Sequence, residues 1–394
     1  MTRSPFADLF ALDPAIDYLN HGSFGACPRA VLAHRARLEE ELEREPVRFL
    51  AREIDERIGR ALGALADFAG CAREDLAFVD NATTAVNTVL RSTRLAAGDE
   101  ILTTDHAYPA CRNAMEHAAS VAGARVVVAK VPFPITGPEA VLRAVTAAAT
   151  PRTRLAVLDH VTSVTALVFP IETLVAALEG RGIPVLVDGA HAIGMIPLDL
   201  ARLGASYYTS NAHKWLCAPK GAAILHVRRD RQEGLHPLVI SHGVGAFRSE
   251  FDWVGTRDPS PWLSAPEALR FLGALLPGGM AELMRRNRAL ALSARGILLE
   301  ALELEPPCPD SMLGAMASLP LPAFAPGAPG ASLSREALRD LLYERYAIEV
   351  YFSEWPGPSG RLVRVAAQIY NSEEQYARLA SVLREVLGRE AARA

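Results

Sequence analysis

The sequence has few cysteines and no apolar run of membrane-spanning length. Its five cysteines are odd in number and show no closely paired spacing, which argues against a disulfide framework and against a zinc site, so no metal is predicted. The N-terminal stretch carries Asp8, Asp13 and Asp17 and has no basic region before an apolar one, so it does not resemble a signal peptide. These absences predict a cytoplasmic protein that does not enter a membrane.

An excess of basic charge is also missing. The 41 basic and 45 acidic residues are mixed along the chain, and the net charge is −4. Without a basic field, neither nucleic acid nor an anionic membrane is an expected partner. Half of the residues are hydrophobic, and 394 residues suffice for one large domain and a smaller one. We therefore expect a globular protein that binds small molecules.

Strand-like and helix-like segments alternate along much of the chain. The patterns predict strands at 77–79, 100–103, 125–131, 154–158 and 184–187, and helices at 83–92, 109–121, 138–149 and 171–178. Such alternation is typical of an α/β fold with a mostly parallel sheet, whose ligands bind at the carboxyl ends of the strands. Further helices at 281–302 and 335–346 and a strand at 361–366 predict a small C-terminal α/β domain. We predict a large domain at 20–265 and a small domain formed by 1–19 with 266–394.

Asp188 and Lys214 are the most informative residues. Asp188 ends the strand-like run that precedes it, and Lys214 follows 26 residues later in a segment that also carries Ser210 and His213. A lysine amine can link covalently to pyridoxal phosphate, and an aspartate can keep its pyridine nitrogen protonated so that the ring accepts electrons. Taken singly, each residue is more often a cap or a solvated charge. The two together, in this order, predict a pyridoxal phosphate enzyme.

Three motifs carry a resemblance to a known family. They are the segments 18–25 (YLNHGSFG), 80–87 (DNATTAVN) and 211–221 (NAHKWLCAPKG). Through them the chain resembles the class V aminotransferase family of fold-type I pyridoxal phosphate enzymes, and within it isopenicillin N epimerase and its relatives. The resemblance spans nearly the whole chain and implies a fold-type I transferase architecture.

The resemblance implies a set of cofactor contacts. Ala82 and Thr83 open a helix, where free N–H groups suit a phosphate, although an ordinary N-cap is the alternative. Ser210 and His213 are implied as further phosphate ligands. Tyr108 is implied to stack on the cofactor ring, with His106 as the alternative, and the phenolic oxygen is assigned to Ser163 or Thr162 together with His191.

Other residues are implied to bind the substrate or the partner subunit. Arg364 matches the arginine that holds the substrate α-carboxylate, and Asn20 and His21 belong to the same substrate site; a surface salt bridge is the alternative for the arginine. Thr256 matches a threonine delivered to the phosphate of a neighbouring subunit. A homodimer with shared active sites is therefore expected.

The implied reaction begins when Lys214 removes the proton from Cα of an amino acid. The outcome stays open among epimerisation, elimination by a C–S lyase and transamination, and a non-catalytic homologue is the remote alternative. Tyr108, His21 and Tyr370 are candidates for an acid that faces Lys214. The absence of cysteine from 309 to 394 argues against a persulfide-forming desulfurase.

Overall fold

A computed structural model describes residues 4–321, 334–355 and 360–393. The strands, numbered in chain order, are β1 Asp17–Tyr18, β2 Leu76–Val79, β3 Glu100–Thr104, β4 Arg125–Ala129, β5 Thr153–Asp159, β6 Val185–Asp188, β7 Tyr207–Ser210, β8 Ala223–Val227, β9 Met316–Pro320, β10 Ile348–Glu349, β11 Tyr351–Glu354 and β12 Arg361–Ala366.

The α-helices are α1 His21–Phe24, α2 Arg29–Arg44, α3 Ile54–Ala69, α4 Ala82–Ser92, α5 Pro109–Ala122, α6 Pro138–Ala148, α7 Ile171–Glu179, α8 Leu200–Leu203, α9 Phe247–Asp252, α10 Ser260–Leu263, α11 Ala265–Gly273, α12 Gly279–Leu302, α13 Arg335–Tyr346 and α14 Glu373–Arg393. None of the helices among the described residues combines the length and the apolar character needed to cross a membrane.

A seven-stranded sheet forms the centre of the molecule, in the order β2-β8-β7-β6-β5-β3-β4. β8 runs antiparallel to both of its neighbours, and the other adjacent strands pair in parallel. This arrangement confirms the predicted mostly parallel sheet. Its strands are apolar on both faces because helices cover both sides, as parallel sheets require.

Successive residues of the central strands enter different cores. Val157 and Leu186 pack with α4 and α5 on one face of the sheet. Leu158 and Val187 pack on the opposite face with α6, α7 and the C-terminal helices. Because side chains alternate along a strand, the terminal residues Asp159 and Asp188 project on the α4 and α5 face.

The C-terminal part contains a three-stranded antiparallel sheet in the order β11-β12-β9. This small sheet, with α12, α13 and α14, agrees with the predicted small C-terminal α/β part. β1 pairs in parallel with β10, with Asp17 opposite Ile348, and so connects the N-terminal segment to the C-terminal part. This contact is consistent with the grouping of 1–19 and 266–394, whose boundaries stay a prediction.

Candidate active site

A cavity of about 490 Å³ lies at the carboxyl ends of β5, β6 and β7, beside the first turn of α4. A volume of a few hundred Å³ is typical of a small-molecule site. The sequence-predicted residues that line it are Ala82, Thr83, Tyr108, Ser163, Asp188, His191, His213 and Lys214. Residues that the sequence did not single out also line it, among them Ser23, Asn87, Asp159 and Asn211.

Asp188 is the last residue of β6 and is only 3% exposed. The backbone N–H of Ala190 donates to its Oδ1 at 3.0 Å, and the Cys111 thiol donates to its Oδ2 at 3.2 Å. Burial raises the pKa of this carboxyl, while the thiol, the N–H group and the charge of Lys214 oppose the rise. Cys111 was not among the predicted site residues, because its approach depends on how α5 packs over β6.

Lys214 lies in the turn region that follows β7, and its amine points toward His191. The distance from Lys214 Nζ to His191 Nε2 is 3.3 Å. Trp215 Nε1 donates to His191 Nδ1 at 3.3 Å, so the imidazole proton is on Nε2 and faces the amine. Burial, followed by the charge of Arg364, lowers the pKa of Lys214 to about 8. The structure therefore offers a partly unprotonated amine in the same cavity as Asp188.

The turn at α1 packs directly against the Lys214 segment, and glycine permits this approach. Gly25 has φ +71°, and a Cβ at this position would lie 2.2 Å from the His213 carbonyl oxygen. A side chain would therefore be strained by the backbone conformation and would collide with the chain. The pattern of residues 18–25 thus reflects close packing as well as chemistry.

The first turn of α4 supplies backbone donors. Asn81 caps the helix by accepting from Thr84 N–H at 2.8 Å, and Asn211 Oδ1 accepts from Ala82 N–H at 2.8 Å. The N–H of Thr83, which lies between them, has no hydrogen-bond partner within the described ranges. This donor at the positive end of a helix fits an anion such as a phosphate.

His213 and Ser210 differ in their relation to the cavity. His213 lines it, and its Nδ1 donates to the Ala222 carbonyl at 3.0 Å, which leaves Nε2 on the other side of the ring. Ser210 is fully buried outside the lining; its hydroxyl donates to the Gly189 carbonyl and accepts from Ile193 N–H at 3.0 Å. The hydroxyl thus fixes the chain after β6, and the role of Ser210 as a phosphate ligand stays a prediction.

The structure separates Tyr108 from His106. Tyr108 lines the cavity and is 43% exposed. His106 is buried outside the lining, with Nδ1 2.6 Å from Thr165 Oγ1 and Nε2 3.0 Å from the Val131 carbonyl. The cavity lining therefore favours Tyr108 as the aromatic residue that contacts a ring, and the alternative of His106 stays a prediction.

Ser163 lines the cavity, whereas Thr162 does not. The Thr162 hydroxyl is buried and hydrogen-bonds with Thr165 Oγ1 at 2.7 Å. Both the carbonyl and the hydroxyl of Ser163 accept from Arg364 Nη1, at 2.5 and 3.5 Å. Of the two alternatives for the phenolic oxygen, the structure favours Ser163.

Arg364 lies on β12, directly behind two residues that line the cavity. It is 2% exposed, and its Nη2 donates to Asn20 Oδ1 at 3.3 Å and to Ser23 Oγ at 3.1 Å. Within residues 4–321, 334–355 and 360–393 no carboxylate pairs with it, and its Nε has no partner. Burial lowers the pKa of the guanidinium to about 10, so the group stays charged at neutral pH. A buried cation whose known partners are all neutral suits a ligand carboxylate.

Asn20 and His21 support the site from behind. Asn20 does not line the cavity; besides accepting from Arg364, it donates to Glu349 Oε1 at 2.9 Å. His21 is fully buried, donating from Nε2 to the Lys214 carbonyl at 3.0 Å and lying 2.7 Å from the Tyr370 hydroxyl through Nδ1. Both hold other site residues in place, and their contact with substrate stays a prediction.

Thr256 and Asp159 are the remaining residues of interest. Thr256 is exposed and lies outside the cavity lining, so its predicted role toward a neighbouring subunit stays a prediction. Asp159, the last residue of β5, lines the cavity and was missed. A carboxylate that directly follows a predicted strand was the available signal. No group of three metal-ligating side chains occurs in the parts of the chain that the structure describes.

The cavity fits pyridoxal phosphate at both ends. A helix N-terminus with the unpartnered Thr83 N–H can hold the phosphate, and the buried carboxylate of Asp188 can face the ring nitrogen. Lys214 lines the same cavity, and Tyr108 adds an aromatic surface. This fold and this cavity define the class of fold-type I pyridoxal phosphate enzymes.

Comparison with known proteins agrees. The family model described as "Aminotransferase class-V" matches residues 27–305, and the chain belongs to this family. The match confirms the predicted family and fold, and with them an enzyme that uses pyridoxal phosphate.

Relatives of known name cover nearly the whole chain. The isopenicillin N epimerase of Streptomyces clavuligerus is 36% identical over 96% of each chain. That of Amycolatopsis lactamdurans is 37% identical over 95% of this chain and 96% of its own. A probable chloroplastic L-cysteine desulfhydrase of Arabidopsis thaliana is 31% identical over 93% of this chain and 82% of its own.

Solved structures show the same fold. The cystine C–S lyase C-DES, in complex with cysteine persulfide, is 22% identical with a TM-score of 0.77, covering 94% of this chain and 97% of its own. An apo cysteine desulfurase from Thermococcus onnurineus NA1 is 17% identical with a TM-score of 0.80, covering 99% of each chain.

Proposed function

We propose that this protein is an amino-acid epimerase or racemase similar in reaction to isopenicillin N epimerase. The observation that carries the proposal is the pair formed by Lys214 and Tyr108 in one cavity. Of the three residues considered as an acid facing the lysine, Tyr108 lines the cavity, whereas His21 and Tyr370 are buried behind it. The identity of 36–37% with two isopenicillin N epimerases supports the same reading.

When bound, pyridoxal phosphate supplies an aldehyde that links to amines and a ring that accepts electrons from Cα. Asp188 holds a negative charge against the ring nitrogen, and the Cys111 thiol and the Ala190 N–H orient its two oxygens. Thr83 N–H and His213 hold the phosphate. Ser163 and His191 lie in the lining and are assigned to the phenolic oxygen.

Lys214 is the base that takes the Cα proton. With a pKa of about 8, roughly one amine in ten is unprotonated at pH 7, a few hundred times the share at the usual pKa of a lysine. The neutral His191 keeps its Nε2 proton toward the amine and so favours the unprotonated form. Little free energy is therefore needed to deprotonate the amine before it acts as a base.

Tyr108 is the acid that returns a proton to the opposite side of Cα. Burial raises the pKa of its phenol above the usual value, so the hydroxyl keeps its proton at neutral pH. A proton given by Tyr108 after Lys214 has taken the original one inverts the configuration at Cα. The phenol regains its proton from solvent, to which its side chain is exposed.

Arg364 binds the α-carboxylate of the substrate. The guanidinium offers two parallel donors in one plane, and these donors point to Ser163 and Ser23, which line the cavity and whose place as acceptors the carboxylate takes. Because its neighbours in the structure are neutral, the substrate carboxylate supplies the missing opposite charge. Asn20 keeps the guanidinium oriented.

The protein is further proposed to be a cytoplasmic homodimer with shared active sites. Thr256 is exposed and outside the cavity lining of its own chain, as a residue that serves a partner subunit would be. Sedimentation velocity tests the assembly. A monomer with full cofactor affinity would contradict it.

A C–S lyase is the second candidate. The identity of 31% with a desulfhydrase over 93% of the chain favours it. Elimination needs Lys214 on one side of Cα and does not require an acid that faces it. The same cavity therefore suits elimination as well. No cysteine lines the cavity among the described residues, which argues against a persulfide on the protein.

Incubation of the cofactor-loaded enzyme with a panel of amino acids in deuterated water separates the candidates. Deuterium at Cα with inverted configuration supports the epimerase, and pyruvate with ammonia supports the lyase. A keto acid that requires an acceptor indicates transamination. Tyr108→Phe is the matched control, because it keeps the ring and loses the hydroxyl. If the wild type exchanges no α-hydrogen with any amino acid, the proposal is wrong.

A further inference from the structure

Two buried carboxyl groups stand side by side at one end of the cavity. Asp159 and Asp188 are the last residues of the adjacent parallel strands β5 and β6, and they are direct partners in the register. They are 5% and 3% exposed, and both line the cavity. The function proposed above uses Asp188 and leaves Asp159 without a role.

Strand geometry places both side chains on the same face of the sheet. Val157 and Leu186, two residues before each aspartate, pack in the core formed with α4 and α5. Because side chains alternate along a strand, Asp159 and Asp188 project to that same side. Neighbouring strands lie about 4.8 Å apart, so the two carboxyl groups are close enough to affect each other strongly.

The surroundings of the pair provide little positive charge. Cys111 from α5, Tyr108 from the turn before it, Tyr208 on β7 and Lys214 after β7 are the titratable groups around the two carboxyl groups. Lys214 is the only cation of this set and is itself partly unprotonated. Two adjacent buried carboxylates cannot both ionise cheaply under these conditions, and one is expected to keep a proton.

The hydrogen-bond partners differ between the two residues. Asp188 has a donor on each oxygen, from Ala190 N–H and the Cys111 thiol, which stabilises its ionised form. Asp159 interacts with its own N–H and with the N–H of Tyr108. Burial, and then the charge of Asp188, raises the pKa of Asp159 well above its usual range. The two N–H groups at Asp159 also favour its ionised form, but Asp188 has in addition the nearby charge of Lys214, which favours ionisation of Asp188. The negative charge is therefore assigned to Asp188 and the proton to Asp159.

We propose that Asp159 is a positioning residue of the cofactor site, which stays protonated at neutral pH and fixes the turn that carries Tyr108. As the neutral member of the pair, it leaves Asp188 as the single negative charge facing the ring nitrogen. Through Tyr108 N–H it sets the place of the aromatic ring at the start of α5. This inference rests on the proposed cofactor site, because it concerns what Asp159 does for a ring bound there.

Two substitutions separate the charge of Asp159 from its hydrogen bonding. Asp159→Asn resembles the protonated acid in shape and keeps an oxygen that accepts from Tyr108 N–H. Asp159→Ala removes that oxygen. Asp105→Asn is the matched control, since Asp105 follows the neighbouring strand β3, binds Val131 N–H and does not line the cavity.

The readouts are the dissociation constant of pyridoxal phosphate from the apoenzyme and the absorbance of the bound cofactor against pH. At neutral pH, Asp159→Asn is expected to bind within about threefold of the wild type, whereas Asp159→Ala binds about tenfold more weakly, because one buried hydrogen bond is lost. In the wild type, ionisation of Asp159 as the pH rises places a second charge beside the ring and changes its absorbance. Asp159→Asn lacks that transition, and Asp105→Asn keeps it.

Each other outcome decides the matter. A change in absorbance with pH that wild type and Asp159→Asn share belongs to other groups, including Lys214. If no additional change distinguishes the two proteins, the inference is overturned. It is also overturned if Asp159→Asn binds the cofactor as weakly as Asp159→Ala, since the charge is then required. A wild type that binds no pyridoxal phosphate overturns the proposed function itself, and the inference with it.

Discussion

Replacement of Arg364 by methionine is predicted to remove activity while leaving the stability of the fold nearly unchanged. The guanidinium is buried, has no carboxylate partner among the described residues and donates to Ser163, Asn20 and Ser23. Methionine is of similar length and carries no charge. The change therefore isolates what the charge contributes to substrate and to the fold.

The two magnitudes follow from the structure. The pKa falls from 12.5 to about 10, so burial of the cation costs about 3 kcal/mol. Because the pKa is lowered in the folded state, the charged guanidinium lowers the free energy of unfolding. This cost applies at all pH values below about 10 and is relieved only above that pH. Loss of the four hydrogen bonds of the guanidinium, at about 1 kcal/mol each, offsets the relief. The free energy of unfolding is expected to change by less than about 2 kcal/mol.

Substrate binding should suffer far more. Removing one partner of a buried charge pair costs about 2–5 kcal/mol, which lowers kcat/KM by about 30-fold to several thousand-fold. The assay compares an accepted amino acid with its α-amide, which lacks the carboxylate. The wild type should prefer the acid strongly, and Arg364→Met should lose most of that preference.

Arg295→Met is the matched control. Arg295 is also buried, but it forms an ion pair with Asp310 and donates to the Cys308 carbonyl at 2.9 Å. Its replacement should cost about 2 kcal/mol of stability and leave kcat/KM nearly unchanged. The assigned role of Arg364 is wrong if Arg364→Met keeps the preference for the acid, or if Arg295→Met loses that preference as well.

Three further predictions concern the same site. Tyr108→Phe should lower the rate of inversion by about 10²–10⁴-fold, while deuterium exchange at Cα by Lys214 persists. Chiral analysis in deuterated water measures both rates. Equal losses of inversion and exchange would contradict the role of Tyr108. The exchange rate should rise with pH through about 8, the pKa of Lys214, and then level off, because the unprotonated amine is the base; a pH–rate profile that falls over this range would contradict it. Gly25→Ala should destabilise the protein by about 2–4 kcal/mol in urea unfolding, because its Cβ would meet the His213 carbonyl at positive φ, and a neutral result would show that the turn can move.

The sequence predicted the parallel core well because its signals are local. The predicted strand at 184–187 is observed as Val185–Asp188, and the predicted helix at 109–121 as Pro109–Ala122. Apolar runs between turn residues and a proline at the helix start were sufficient. β7 was not predicted, because Tyr207–Ser210 is rich in hydroxyl groups although nearly all of it is buried.

The sequence indicated several residues that line the cavity, but not the contacts that these residues make. Order and spacing revealed Asp188 and Lys214, and both line the cavity. Cys111 and Asp159 were missed because their nearness to Asp188 depends on the packing of α5 and on strand register. A motif also does not reveal which way a hydroxyl points. The hydroxyl of Ser210, which the resemblance assigns to the phosphate, donates to the Gly189 carbonyl.

Borohydride reduction of the cofactor-loaded protein, followed by peptide mass spectrometry, identifies the lysine that binds pyridoxal phosphate. The chain has three lysines, Lys130, Lys214 and Lys220, so the attachment site is read without ambiguity. If Lys214 binds the cofactor, we expect a pyridoxyl group on Lys214 alone and a colourless, unlabelled protein for Lys214→Ala. Labelling of Lys130 or Lys220 at equal yield, or none at Lys214, would contradict it.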